Sequence, residues 1–305
     1  MSIPAAYITV VFIWATTPLA LKWSTEEVGF LFGISSRILL GVLIATLLCL
    51  VARISVPIHK KALQTYVAGG IGLYFAKFSV YWGAQYIPSG WISIVLGISP
   101  ILTTMMASSI LNERAMTPMK LAAMFISVFG LYVMYNASLE YGTDTIFGII
   151  AVFFSALFFS ASIVCIKKIN ADIRSLSTVT GTLFVTAPLY ALTWLFSGND
   201  LPTSIPVRTG FSILYLGVIG SVLGFVLFYY VLKHVEVTRT SLIALITPVC
   251  ALALGHTLNG EVLTPSAITG SVLILTGLLL FEFKGAIRGS FLWKLTSVRN
   301  RHEQE

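Results

Sequence analysis

The chain has 305 residues, 57% of them hydrophobic and 10% charged, and a formal net charge of +7. Soluble domains carry about 25% charged residues, so this composition excludes a water-soluble fold that hides its apolar surface in a core. The positive charge is scattered through short connections and a terminal tail, which excludes the single basic face of a nucleic-acid binder. Apolar runs of about 20 residues, enough for a helix to cross roughly 30 Å of hydrocarbon, follow one another along the chain. They predict helices near Pro4 to Leu21, Phe30 to Ala52, Leu63 to Gly83, Gly90 to Leu111 and Pro118 to Tyr135. Further runs lie near Ile146 to Ile166, Leu176 to Phe196, Val207 to Leu232, Thr240 to Leu258 and Pro265 to Phe283. The short alternating segments of a transmembrane barrel are absent from the sequence. The expected fold class is therefore an all-α polytopic membrane protein with about ten transmembrane helices. Met1-Ser2-Ile3-Pro4 lacks a basic lead-in, so the first run is expected to be a retained helix.

Basic residues set the expected orientation. Arg53, Lys60, Lys61, Arg114, Lys120, Lys167, Lys168, Arg174, Lys233 and Arg239 fall at alternate helix ends, as do Lys284, Arg288, Lys294, Arg299 and Arg301. The opposite ends hold Glu26, Glu27, Glu140, Asp144, Asp200 and Glu261 with only Lys22 and Arg208. The positive-inside rule then places both termini in the cytoplasm.

The chain writes one unit twice. Ser93 and Pro100 recur as Ser241 and Pro248 at a shift of 148, and Leu111-Asn112 through Thr117-Pro118, with Gly130, recur as Leu258-Asn259 through Thr264-Pro265, with Gly277, at a shift of 147. Such self-similarity is the mark of duplication. Each half has five helices, and an odd number sends the second copy into the membrane from the opposite side, giving two inverted five-helix repeats. Residues 1–140 and 141–285 are the expected repeats, and 286–305 a basic cytoplasmic tail. Inverted repeats are a recurring transporter architecture, with the substrate site near the midplane between them.

Ionisable groups inside a bilayer are costly and functional by default. Arg37 and Lys77 are the cations in helix interiors, each about 10 Å from the acidic end at 1.5 Å per residue. No Asp or Glu occupies the middle of a predicted helix. Two cations facing one cavity would attract a carboxylate or phosphate; the competing reading is that both snorkel to headgroups. Under the repeat Lys77 falls on Phe225, so this charge is no part of the duplicated scaffold. Tyr74, Phe78 and Tyr81 share its helix face, and Trp14 lies deep in the first helix; Trp14, Tyr74 and Tyr81 are expected cavity-lining residues. Pro100 and Pro248 predict paired bends that serve as hinges, with fixed bends as the alternative. Gly69, Gly70, Gly72, Gly217, Gly220 and Gly224 predict close helix approach. Glu113 and Glu261, just before Thr-Pro helix starts, are expected to stabilise helix N-termini. Cys49, Cys165 and Cys250 show no CxxC spacing and are expected to be packed thiols; no metal site and no cofactor is expected.

Taken together, Trp14-Ala15-Thr16-Thr17-Pro18, Ser36-Arg37-Ile38-Leu39, the Pro100 to Leu111-Asn112-Glu113-Arg114 run and its copy from Pro248 to Gly260-Glu261-Val262-Leu263-Thr264 resemble the EamA-type branch of the drug/metabolite transporter superfamily. The resemblance implies a ten-helix secondary transporter with cytoplasmic termini and a central cavity between inverted halves; Arg37 matches the family's usual arginine. It leaves the cargo open, since substrates there range over amino acids, metabolites, drugs, sugars and phosphorylated compounds.

The expected function is secondary, non-ATP transport of small organic metabolites or drugs by alternating access, in export or exchange, from a bacterial inner membrane. The expected partners are a small-molecule substrate and the lipid bilayer, with no nucleic acid, in a monomer or homodimer. A channel-like or structural membrane subunit and an intramembrane enzyme are the alternatives. Against the enzyme, His59, His234 and His302 fall in loops or the tail, His256 is alone near a helix end, and no HExxH, GxSxG or P-loop occurs.

Overall fold

The computed structural model describes residues 3–111, 118–141, 144–198, 200–234 and 237–281, without the side chains of 134–141, 229, 232–234, 237–242, 244 and 245. Within hydrocarbon each backbone N–H and C=O must be satisfied inside the protein, and the described residues form helices and no strands. They are α1 (Ile3–Trp23), α2 (Phe30–Val51), α3 (Lys60–Gly83), α4 (Ser89–Ile110), α5 (Pro118–Tyr141), α6 (Thr145–Ile169), α7 (Ser175–Ser197), α8, α9 (Val237–Asn259) and α10 (Pro265–Phe281). α8 runs through Val207–Tyr215, a π-helical Leu216–Leu223 and Gly224–His234. Six helices are long and apolar enough to cross a membrane, and two shorter apolar ones join them. Exposed side chains such as Leu50, Phe125, Phe196 and Phe211 give the outer surface the apolar character that lipid contact requires.

The halves exchange elements. α3, third helix of the first half, lies against α6 and α7, the first two of the second half; α8 in turn lies against α1 and α2. α4 packs on α9. The most direct sign of two-fold pairing is between α5 and α10. A Cβ at Gly130 would stand 2.8 Å from the Gly270 carbonyl and 2.8 Å from Ile274, and one at Gly277 would stand 2.7 Å from the Ala123 carbonyl and run into Ser127. Each contact maps onto the other at the shift of 147, the reciprocity of a self-complementary interface. The chain thus has the two-repeat polytopic fold expected of it.

Glycine sets the spacing of this exchange. A side chain at Gly72 would collide with Ser162 of α6, and a Cβ at Gly70 would lie 2.5 Å from that of Val185 on α7. Only a bare backbone lets α3 sit in the groove between its neighbours. The main core gathers Tyr81, Trp91, Ile34, Ile38 and Tyr190. A second cluster, of Ala6, Val10, Ile13, Leu227, Val231 and Ile243, ties α1 to α8 and α9.

The paired prolines do not behave as a pair. α4 is interrupted at Gly97 and Ile98, just before Pro100, whereas α9 runs unbroken through Pro248. Pro100 has no N–H for the Leu96 carbonyl, and the Ser99 hydroxyl donates to that oxygen instead at 2.6 Å. At the equivalent place the Thr247 hydroxyl donates at 2.5 Å to the Ile243 carbonyl, one residue before the carbonyl that Pro248 leaves without its N–H. Pro248 packs 3.7 Å from where a Gly97 Cβ would stand, so the second proline abuts the break made near the first. The thiols also differ from expectation: Cys49 is buried, but Cys165 is exposed on the outer face. Glu113 and the tail at 286–305 lie outside the described residues.

Substituting Gly72→Leu should wedge α3 off α6 and lower stability by about 1–3 kcal/mol. Gly210→Ala, whose Cβ would meet only Ile205 at 3.8 Å, should be neutral or gain about 0.5–1 kcal/mol. Thermal midpoints in detergent micelles check both, and equal midpoints would remove the packing argument.

Candidate functional site

Among the described residues Arg37 is the most deeply placed charge, only 1% exposed on α2. Its Nε donates to the Ser221 hydroxyl at 2.8 Å and its Nη1 to the Tyr81 hydroxyl at 3.4 Å. α8 makes room for this fork by local unwinding: Ser221 and Gly220 belong to its π-helical stretch, where the Gly224 N–H reaches back five residues to Ile219. Such stretches frequently mark functional sites. A Cβ at Gly220 would press to 3.3 Å from Arg37 Nη2. Arg37 therefore joins α2, α3 and α8, and it is held inside the protein without reaching for headgroups.

Lys77 is half-buried on α3. Its Nζ lies 5.9 Å from the centre of the Phe225 ring, within the range of cation–π attraction. Phe225 is the residue that the repeat equates with Lys77. Two equivalent positions of a two-fold arrangement can touch only close to the axis relating them, so Lys77 stands where the halves meet.

Below it a small cavity of about 30 Å³ lies between α2, α3, α6, α7 and α8, room for a water or two and, in this state, short of a small-molecule site. Lys77, Ser221, Ser162 and Thr182 supply its polar atoms; Ile38, Leu73, Phe159, Ile163, Ile166, Val179, Leu183 and Phe225 supply apolar wall, and Gly69 completes it. The space extends from Lys77 toward the helix ends that carry Lys167, Lys168 and Arg174. Among the described residues no carboxylate lines it.

The other expected residues take separate places. Tyr81 is fully buried beside Arg37. Tyr74 bonds the Thr193 hydroxyl at 2.6 Å, while its carbonyl accepts from Tyr190 at 2.8 Å, so it ties α3 to α7. Trp14 packs on Phe228, ring centroids 4.7 Å apart, in the second apolar cluster and outside the cavity wall. Ser221, Thr182 and Phe159 went unmarked in the sequence, where nothing sets them apart from other serines, threonines and phenylalanines.

The opposite end is tied shut by Glu261. Its Oε1 accepts from the Ser89 N–H at 2.9 Å and its Oε2 from the Gly90 N–H at 3.3 Å, at the start of α4. The capped helix thus belongs to the other half, and is not the Thr-Pro helix that follows Glu261. Asn259 donates to the same carboxylate at 3.0 Å and accepts from Trp23 Nε1 at 2.9 Å. Lys22 Nζ donates to the Ile87 carbonyl at 3.1 Å. Beside this knot Arg208 pairs with Glu26 and lies over the Trp23 ring. α1, α4, α8 and α9 converge here, above the buried Trp91, Ile87 and Ala84.

Known proteins resemble the chain over nearly its whole length. An uncharacterised transporter of Bacillus subtilis, YoaV, is 25% identical over 280 residues, 90% of this chain and 95% of its own. A Salmonella typhimurium protein named "Probable amino-acid metabolite efflux pump" is 27% identical over 290 residues, 92% of this chain and 94% of its own. A solved crystal structure shares the fold with a TM-score of 0.65 at 18% identity, covering 92% of this chain and 97% of that one. The sequence model of the EamA-like transporter family matches twice, over residues 2–136 and 146–283. With two such matches on a multi-pass helical fold, the chain belongs to the EamA-like transporter family.

Proposed function

We propose that this chain is a secondary transporter that carries small organic solutes with an anionic group across the cell membrane by alternating access, and that the cavity beneath Lys77 is its substrate site. The observation that carries this reading is the position of Lys77: a cation added to one repeat only, at the junction of the two, facing a cavity with no carboxylate among its described lining residues. Arg37, behind the wall at the same end, orients the Ser221 hydroxyl. Tyr81 holds Arg37 from above.

The loop charges put the Lys167, Lys168 and Arg174 end in the cytoplasm. On that orientation the cavity extends inward, and the Glu261 knot closes the outside. A cavity shut at one end suits a carrier and not an open pore. Loading from the inside suits export or exchange, and the Salmonella relative is named as an efflux pump. The sequence has no P-loop for ATP and no carboxylate in a helix interior for a proton relay. Exchange, or coupling through the solute's own charge, then supplies the driving force.

Counterflow in proteoliposomes over a panel of anionic, zwitterionic and cationic metabolites tests the reading. Lys77→Ala should cut uptake of every accepted anion by tenfold or more. Normal rates for that variant would sink the basic site.

Access can be followed separately, in a background with Cys49, Cys165 and Cys250 replaced. Thr182→Cys should react with a membrane-impermeant thiol reagent from the cytoplasmic side and resist it from outside. Adding Glu261→Gln, which loses charge-assisted bonds of about 1.5–3 kcal/mol, should raise labelling from outside. Equal labelling from both faces without the Glu261 change would argue for a pore.

A further inference from the structure

We infer that the solute taken by this cavity is a monoanionic acid with an apolar body and no ammonium group. The inference rests on the transport reading above and names the cargo class of the same site.

The charges are gathered at one end of the cavity. Arg37 reaches from Tyr81, one helical turn beyond Lys77 on α3, to Ser221, one turn before Phe225 on α8. Phe225 lies under Lys77. The other end, at Ile166 and Val179, is hydrocarbon. On α3 the step from Lys77 to Gly69 is eight residues, about 12 Å of helix. A solute admitted when the halves part sets its carboxylate against Lys77 Nζ and the Ser221 hydroxyl, and its body along Phe159, Ile163 and Val179.

The inventory of charge selects further. A zwitterionic amino acid would bring its ammonium to a wall that already carries Lys77 and no carboxylate, with only the neutral hydroxyls of Ser162, Thr182 and Ser221 to receive it. A buried charge without a counter-charge is strongly disfavoured. A dianionic phosphate meets the converse shortage. Arg37 is turned to Ser221 and Tyr81 and forms no part of the cavity wall, which leaves Lys77 as the cation facing the solute.

Three probes built on one ring separate these cases: phenylpyruvate, L-phenylalanine and phenyl phosphate. Each is measured by counterflow with the full-length protein in vesicles preloaded with the same unlabelled compound. Phenylpyruvate should exchange at least tenfold faster than either of the others. Lys77→Gln should abolish that preference, and Thr182→Asp, which places a carboxylate in the wall, should shift it toward phenylalanine by tenfold or more. Wild-type exchange of phenylalanine or phenyl phosphate at the rate of phenylpyruvate overturns the inference and leaves the transport reading standing. Exchange of none of the probes, or of any other organic solute, overturns both. Should Lys77→Gln not fold, Thr182→Asp decides, and a phenylpyruvate preference unchanged in it overturns the inference.

Discussion

A guanidinium held at bilayer depth must find its acceptors inside the protein, and much of this architecture follows from how Arg37 finds them. One fork needs a hydroxyl from α3 and another from α8, so three helices are fixed to a single side chain. The requirement reaches into the backbone. A regular α8 turns about 100° per residue, and the wider π-helical turns at Leu216–Leu223 re-aim Ser221 and Gly220 relative to that path. Glycine at 220 then leaves the guanidinium its space. A buried charge adds little net stability, since desolvation consumes most of the gain. Its retention in a scaffold otherwise built from apolar contacts favours a role at the cavity it borders.

The duplicated scaffold and the site obey different rules. Between α5 and α10, Gly130 and Gly277 play the same part, and each half's third helix settles into the other half's first two. Symmetry of this kind costs nothing, because one packing solution serves twice. At the axis, however, a strict copy would set two lysines or two phenylalanines against each other. Two lysines would repel in low dielectric, and two phenylalanines would leave no charge for a solute. Lys77 over Phe225 is the asymmetric choice that provides a cation together with an aromatic face to hold it. The broken copy thus sits where function gains most from it.

Helix number, order and spans were legible because membrane length imposes an apolar period on the sequence. Lys77 was legible as a charge where hydrocarbon forbids one. What stayed hidden is long-range or local in a way that composition cannot carry. Ser221 matters because it meets Arg37 across 184 residues, and Glu261 because it caps α4 across 172. The π-helical turns of α8 leave the apolar run intact, so hydropathy passes over them. Trp14 is deep, as its position implied, yet depth alone does not choose between a cavity and the packed cluster around Phe228. Pro100 and Pro248 share their place in the repeat, but only α4 breaks, with Pro248 lodged against the gap at Gly97.

The two membrane ends cannot open and close by the same contacts. An inverted repeat offers a simple cycle, in which each half adopts in turn the conformation of the other, and that requires a latch at either end. At the acidic end the latch is a carboxylate on the first N–H groups of a helix, where it is stabilised by both hydrogen bonds and the helix dipole. At the shift of 147 the residue equivalent to Glu261 is Arg114, and Glu113 stands one place earlier. An arginine cannot accept those hydrogen bonds. In the proposed cycle the arginine position supplies no such latch, and the two closures differ in free energy. In the proposed cycle this inequality biases the empty carrier toward the state in which Glu261 is engaged, with the cavity extending to the cytoplasmic side. In that proposed cycle the empty carrier takes up its solute from the cytoplasm, which is the step that export or exchange requires.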